Sequence, residues 1–300
     1  MNNTKNKSKI FISFILIIIT SLVILFTFKG EMAIAVLDKI NPFEQGVTAQ
    51  KYMVINLKNG RIIKEKGVYD KVTPASISKL FSIEYANEIY GLNETIDIEQ
   101  NAYDLVIAGS KLANLVPGRY YTLNVYHGLL SASGNDLALG MASAIGYRLE
   151  PKSNYAKEAI GHFTESLDEH LKSIGINNTK ITNPSGYSYE DYTTINDIHQ
   201  VVTRLLKNEW FRTLISQKNV TTITPNEKAL SWDNTNEFLD PNSSYYNPDI
   251  KGVKTGSLSS YYNIITLYQK DGNEYLIYVF GAKTNDRRYS DVEKLIEDLY

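Results

Sequence analysis

A serine hydroxyl becomes a useful nucleophile when a base stands beside it, and Ser76 and Lys79 offer that pairing. The apolar residues Leu80, Phe81, Ile83, Ala86 and Ile89 recur at helical spacing, and Pro74 suits the first turn of such a helix. Residues three apart share a helix face. The Lys79 amine can then reach the Ser76 oxygen and take its proton, close to the positive end of the helix. Alone the spacing is weak, because an ordinary first turn with a solvated lysine also satisfies it. Two further patterns, each occurring once, add weight: Ser133-Gly134-Asn135 and Lys254-Thr255-Gly256. The three in this order are far more specific than any one of them.

Composition narrows the classes of function. The chain has 300 residues, 43% hydrophobic and 21% charged, enough to bury a sizeable core. Net charge is −2, and leaving out Lys5, Lys7 and Lys9 makes it −5, which gives no footprint for a nucleic-acid partner. The 22 tyrosines are scattered and read as amphipathic packing rather than a base-stacking surface. Cysteine is absent, which excludes disulfides, thiolate metal sites and a thiol nucleophile. His127, His162, His170 and His199 form no HExxH motif and no close ligand pair, so no metal or other cofactor is expected. Of the four, His127 in an apparent helix is the one most open to another role.

The elements that must position these residues follow from the pattern along the chain. Residues 1–9 are polar and basic and read as a cytoplasmic tail. Residues 10–28 carry no charge and are long enough to span a bilayer, which favours a transmembrane anchor over a signal cleaved near Ala33-Ile34-Ala35. The lysines before the span place everything after it outside the cytoplasm. Residues 29–50 read as a spacer with breakers at Pro42 and Gly46, and 51–300 as the working domain. Strands are expected over 52–56 and 61–66 around an Asn59-Gly60 turn, then the helix carrying Lys79. A helix capped by Asn124 through 130, and helices over 137–148, 157–174 and 196–208, make a helix-rich block. Strands follow over 221–224, 263–268 and 274–280, then a closing helix over 288–300. Strands at both ends with helices between them predict an α/β fold of α+β type: an antiparallel sheet flanked by helices, with an inserted all-helical lobe.

From about Lys51 onward the chain resembles the serine D-alanyl-D-alanine carboxypeptidases, the low-molecular-weight penicillin-binding proteins with a β-lactamase/transpeptidase-like fold. Beyond the three motifs the likeness rests on Asn183-Pro184-Ser185-Gly186, Tyr192-Thr193-Thr194, Asn234-Thr235-Asn236 and Gly252-Val253. The resemblance implies Ser76 as the acylated nucleophile and Lys79 as its base. It places Ser133, a catalytic residue, and Asn135, a substrate contact, on the helical side. It assigns Lys254 and Thr255 to the substrate's terminal carboxylate and lets the substrate lie along the strand at Gly256. Ser76 and Ser257 would supply the oxyanion N–H groups. Arg288 falls at the family's carboxylate-binding arginine, with Arg287 as the alternative register. A basic cluster of Lys254 and Arg288, together with burial, would keep Lys79 deprotonated. The implied substrate is a peptidoglycan stem peptide ending in D-Ala-D-Ala, with β-lactams as covalent inhibitors. The place is the bacterial cell membrane, single-pass, with the catalytic domain extracytoplasmic. Ser259-Ser260-Tyr261 depart from the small residue and glycine common before the next strand. A β-lactamase on the same scaffold is an alternative, although none of Glu158, Glu165, Glu169 and Glu190 has the local pattern of a deacylating glutamate. A non-catalytic β-lactam sensor or wall-binding module is another.

Overall fold

The computed structural model describes residues 46–299. The expected tail, span and most of the spacer lie outside the described residues. β1 (Lys51–Asn56), buried on both faces from Met53 on, turns into the more exposed β2 (Ile62–Lys66) through a loop held by the Asn56 side chain, whose Oδ1 accepts from Lys58 N at 2.9 Å. The chain returns to the same sheet 184 residues later, through β7 (Ile250–Leu258), β8 (Tyr261–Lys270) and β9 (Asn273–Ala282). The sheet is antiparallel, in the order β2-β1-β9-β8-β7, so the two ends of the domain pair side by side. Tyr52 faces Val279, and Gly256 faces Asn263.

Both faces of the sheet are covered. Val54, Ile277 and Val279 pack against Tyr289, Val292 and Leu295 of the closing helix, which runs over Asn285–Glu297 rather than 288–300. Asp291 on that helix accepts from Thr48 N, Thr48 Oγ1 and Ala49 N at 2.8–3.0 Å, fixing the chain just before β1. Met53, Ile265, Leu267, Tyr278 and Phe280 face the insert.

The insert begins with a 3-10 turn, Ala75–Ile77, followed by α1 (Ser78–Ile89). Ser76 therefore lies in the 3-10 turn that precedes the α-helix, with Pro74 as its cap, rather than in the first α-turn. Next come β3 (Thr95–Ile98), the short α2 (Gln100–Tyr103), β4 (Gly118–Tyr121), α3 (Thr122–Leu130), α4 (Asn135–Leu149) and α5 (Ala156–Ser173). Two more helices, α6 (Ile195–Leu205) and α7 (Glu209–Ile215), precede β5 (Asn219–Ile223) and β6 (Ala229–Asp233); the closing helix is α8. The pairs β3-β4 and β5-β6 form two-stranded ribbons, so the insert is mainly rather than wholly helical. Asn124 is inside α3: its Oδ1 accepts from Tyr121 N, and its Nδ2 donates to Thr222 Oγ1 on β5. The capping position belongs to Tyr121.

One hydrophobic cluster runs from Phe280 and Tyr278 of the sheet through Phe81 of α1 to Leu137 of α4 and Phe163 of α5. The block is thus continuous with the sheet's core rather than a lobe with a core of its own. A buried carboxylate ties three helices together. Glu84 on α1 is only 4% exposed and receives Arg204 Nε from α6 at 2.6 Å, with His170 of α5 sharing a 2.6 Å hydrogen bond. Burial alone would raise the Glu84 carboxyl, but these hydrogen bonds outweigh it and hold the group below its usual range.

Candidate active site

The turn that carries Ser76 is unusual backbone. Ala75 sits at φ +51°, a left-handed conformation that costs a non-glycine residue about 1–3 kcal/mol and persists only where the surroundings enforce it. Two neighbours crowd it. Gly186, itself at φ +78°, presses so closely that a Cβ there would lie 1.9 Å from the Ala75 carbonyl oxygen. On the sheet side, a Cβ on Gly256 would lie 2.9 Å from Pro74 O and 3.1 Å from Ile77 Cγ1. The glycine that the resemblance places beside the substrate thus also leaves room for the turn carrying Ser76.

Lys79 is fully buried at the start of α1. Its Nζ lies 2.9 Å from Ser76 Oγ, 2.7 Å from Asn135 Oδ1 and 2.6 Å from the Ser185 carbonyl oxygen. Asn135 Oδ1 and Ser185 O can only accept. A neutral amine must spend both its N–H groups on them, which leaves its lone pair aimed at the Ser76 hydroxyl. Burial pushes Lys79 down to about 7, against a smaller upward pull from Asp136. Of the two causes expected, burial and the push from Lys254 and Arg288, only burial acts here.

Cationic neighbours act instead on Lys254. It is buried, and burial, then the charges of Lys79, Lys111 and Arg288, hold it well below the usual lysine range. Its Nζ donates to Ser133 Oγ at 2.8 Å and to Thr255 O at 3.0 Å. Ser133 reaches it from a left-handed residue, φ +60°, just before α4, and Asn135 opens that helix. Thr255 Oγ1 is 2.7 Å from Thr235 Oγ1. Arg288 lines the cleft, and Arg287 is not among its lining residues. The Arg288 guanidinium donates to Ser257 Oγ at 3.0 Å and to Tyr289 OH at 3.3 Å, while its buried Nε has no protein partner.

Ser76, Ser133, Asn135, Thr255, Ser257 and Arg288 thus share the wall of one polar cleft of about 350 Å³, with Lys79, Lys254 and Gly256 directly behind it. Lys111, Glu237 and Asn285 also line it and carried no signal in the sequence. Ser185, Gly186 and Thr235 fall in stretches that looked familiar but had no assigned task. His127 is not among the lining residues; burial pushes it down to about 4, and its Nδ1 is unpartnered. Among the described residues no cluster of His, Asp or Glu could hold a metal ion.

A serine whose proton can be taken by a buried, partly neutral lysine, beside a cationic wall, defines an acyl-transfer site. The family model described as D-alanyl-D-alanine carboxypeptidase matches residues 38–284, and the chain belongs to this family. It is 26% identical to D-alanyl-D-alanine carboxypeptidase DacF of Bacillus subtilis over 280 residues, which is 92% of this chain and 68% of that protein. The Streptomyces K15 DD-transpeptidase superposes with a TM-score of 0.73 at 22% identity, over 84% of this chain and 97% of that one. Penicillin-binding protein D2 of Listeria monocytogenes in its ampicillin-bound form gives 0.65 at 20% identity, over 86% and 98%. These two likenesses concern the fold.

Proposed function

We propose that the protein is a membrane-anchored serine DD-carboxypeptidase that removes the terminal D-Ala from peptidoglycan stem peptides. The observation that carries this is the Lys79 amine, with two acceptor-only partners and its third direction on Ser76 Oγ. In the forward step Ser76 Oγ attacks the carbonyl between the two D-Ala residues while Lys79 takes its proton. The N–H groups of Ser76 and Ser257 receive the oxyanion. Arg288, Lys254, Thr255 and Ser257 hold the free carboxylate of the leaving residue, which suits a guanidinium with a spare buried donor. An arriving carboxylate gives Lys254 a counter-charge and favours its protonated form. Ser133 passes its own O–H proton to the leaving nitrogen and is reprotonated by Lys254, whose Nζ already donates to it. Water then attacks the acyl-Ser76 ester and gives its proton back through Ser133 to Lys254, while Lys79 returns the first proton to Ser76 Oγ as the ester bond breaks. A β-lactam carbonyl takes the place of the scissile amide and stays as the acyl group.

A β-lactamase is disfavoured because Glu237 is the one acid lining the cleft among the described residues, and its carboxylate is held by Asn285 Nδ2 and Ser243 Oγ. The apolar run at residues 10–28 supports an anchor, with the domain on the outer face of the membrane.

The test is the rate of D-Ala release from a diacyl-D-Ala-D-Ala peptide, measured beside penicillin hydrolysis, with the penicillin adduct mapped by mass spectrometry. We expect D-Ala release, slow penicillin turnover and an adduct on Ser76 that Ser76→Ala abolishes. Penicillin turnover faster than peptide turnover would reassign the enzyme as a β-lactamase. An adduct on Ser133 would remove Ser76 from its role.

A further inference from the structure

Asn263 lies on β8, fully buried and outside the cleft lining. The pairing of β8 with β9 slips between Tyr262 and Ile264, and Gly281 opposite stands at φ +68°. Such a bulge breaks the ladder locally and re-aims a side chain. Here the re-aimed group is the Asn263 amide. Its Oδ1 accepts from Gly281 N at 2.9 Å, replacing the lost ladder bond. Its Nδ2 donates to Thr73 O at 2.9 Å and to Pro74 O at 3.0 Å. Those are the two carbonyls immediately before Ala75, the residue in the left-handed conformation, and two peptide units before Ser76. Every hydrogen-bonding group of the amide is spent on backbone.

We infer that Asn263 is a positioning residue for the acylation of Ser76, acting through the Thr73 and Pro74 carbonyls; this rests on Ser76 being the nucleophile. The grip comes from two sides. Gly186 crowds the Ala75 carbonyl from the insert, and Asn263 pulls the two preceding carbonyls toward the sheet. With both in place, the 3-10 turn has one arrangement, and Ser76 Oγ stays where Lys79 and the edge of β7 require it. A carboxylate at this position would keep the acceptor for Gly281 but point oxygens at two carbonyls. An alanine would remove all three bonds.

The experiment compares Asn263→Ala and the near-isosteric Asn263→Asp with wild type, using penicillin acylation and peptide turnover per folded molecule, with folding followed by thermal melting. We expect kcat for peptide and the penicillin acylation rate to fall about 100-fold, the scale of a 1 Å misplacement, with KM nearly unchanged. A merely structural role would lower the melting temperature and leave kcat per folded molecule alone. Wild-type rates in the folded Asp variant would therefore overturn the proposal, whether or not the Ala variant folds. Wild type failing to acylate at Ser76 would instead remove the functional reading, and this proposal with it.

Discussion

Lys79 shows how a single buried side chain can be tuned without a cationic neighbour. In the proposed mechanism its neutral form takes the Ser76 proton, and burial alone brings that form within reach at neutral pH. Neutral amine accumulates as pH rises through about 7, so kcat/KM should climb nearly tenfold per unit below that point and level off above it. A profile flat between pH 5 and 8, measured with a neutral-side-chain peptide, would mean that another group takes the proton. Lys79→Arg keeps the charge but stays protonated, and we expect acylation to drop by about two to four decades. At this scale the sequence was informative for groups set by local spacing. Ser76 and Lys79 are three apart, and Ser133 and Asn135 flank one helix start. Lys111, Glu237, Asn285 and Asn263 were not legible, because each reaches the site by long-range pairing and has no motif around it.

Among the elements, the segment 183–186 does more than its turn residues announce. Ser185 O fixes the Lys79 proton, Pro184 O accepts from Ser82, and Gly186 seats Ala75. Gly186→Ala combines a left-handed residue with a clash against backbone. We expect about 1–3 kcal/mol of lost stability and about a 100-fold loss of acylation. The control is Gly175→Ala, at φ +86° with open space around it, which should cost stability without slowing acylation. Equal acylation rates in both variants would show that the segment does not hold the nucleophile turn. Element types were readable where periodicity was strong, as in α5 with Ala159, Phe163 and Leu167 inward. Short elements were missed: α7 follows directly on the end of α6, and β6, with no β-branched residue, becomes a strand only by pairing with β5. The 3-10 turn at Ser76 could not be told from an α-turn by spacing that both satisfy.

At the scale of the molecule, the α/β layering was legible because strands stood at both ends of the domain with helices between them. The continuity of its core was not, since nothing in a helical pattern states which face meets a sheet. The anchor proposed at residues 10–28 leads to a topological expectation: protease added to intact protoplasts should digest the domain from residue 47 onward, and full protection would place it on the other side. The pairing of β1 with β9 has a further consequence, in time rather than space. Lys51 meets Phe280, and Ser76 meets its cleft partners Ser257 and Arg288, only when nearly the whole chain exists. At about 5–20 residues per second, a ribosome needs on the order of ten to fifty seconds to go from Asn56 to Ala282. For that interval the β1-β2 hairpin has no neighbour on its buried side, and its open edge can pair with other nascent chains. The nascent protein is therefore inert toward acylating agents and dependent on whatever shields it, until the last strand inserts between β1 and β8.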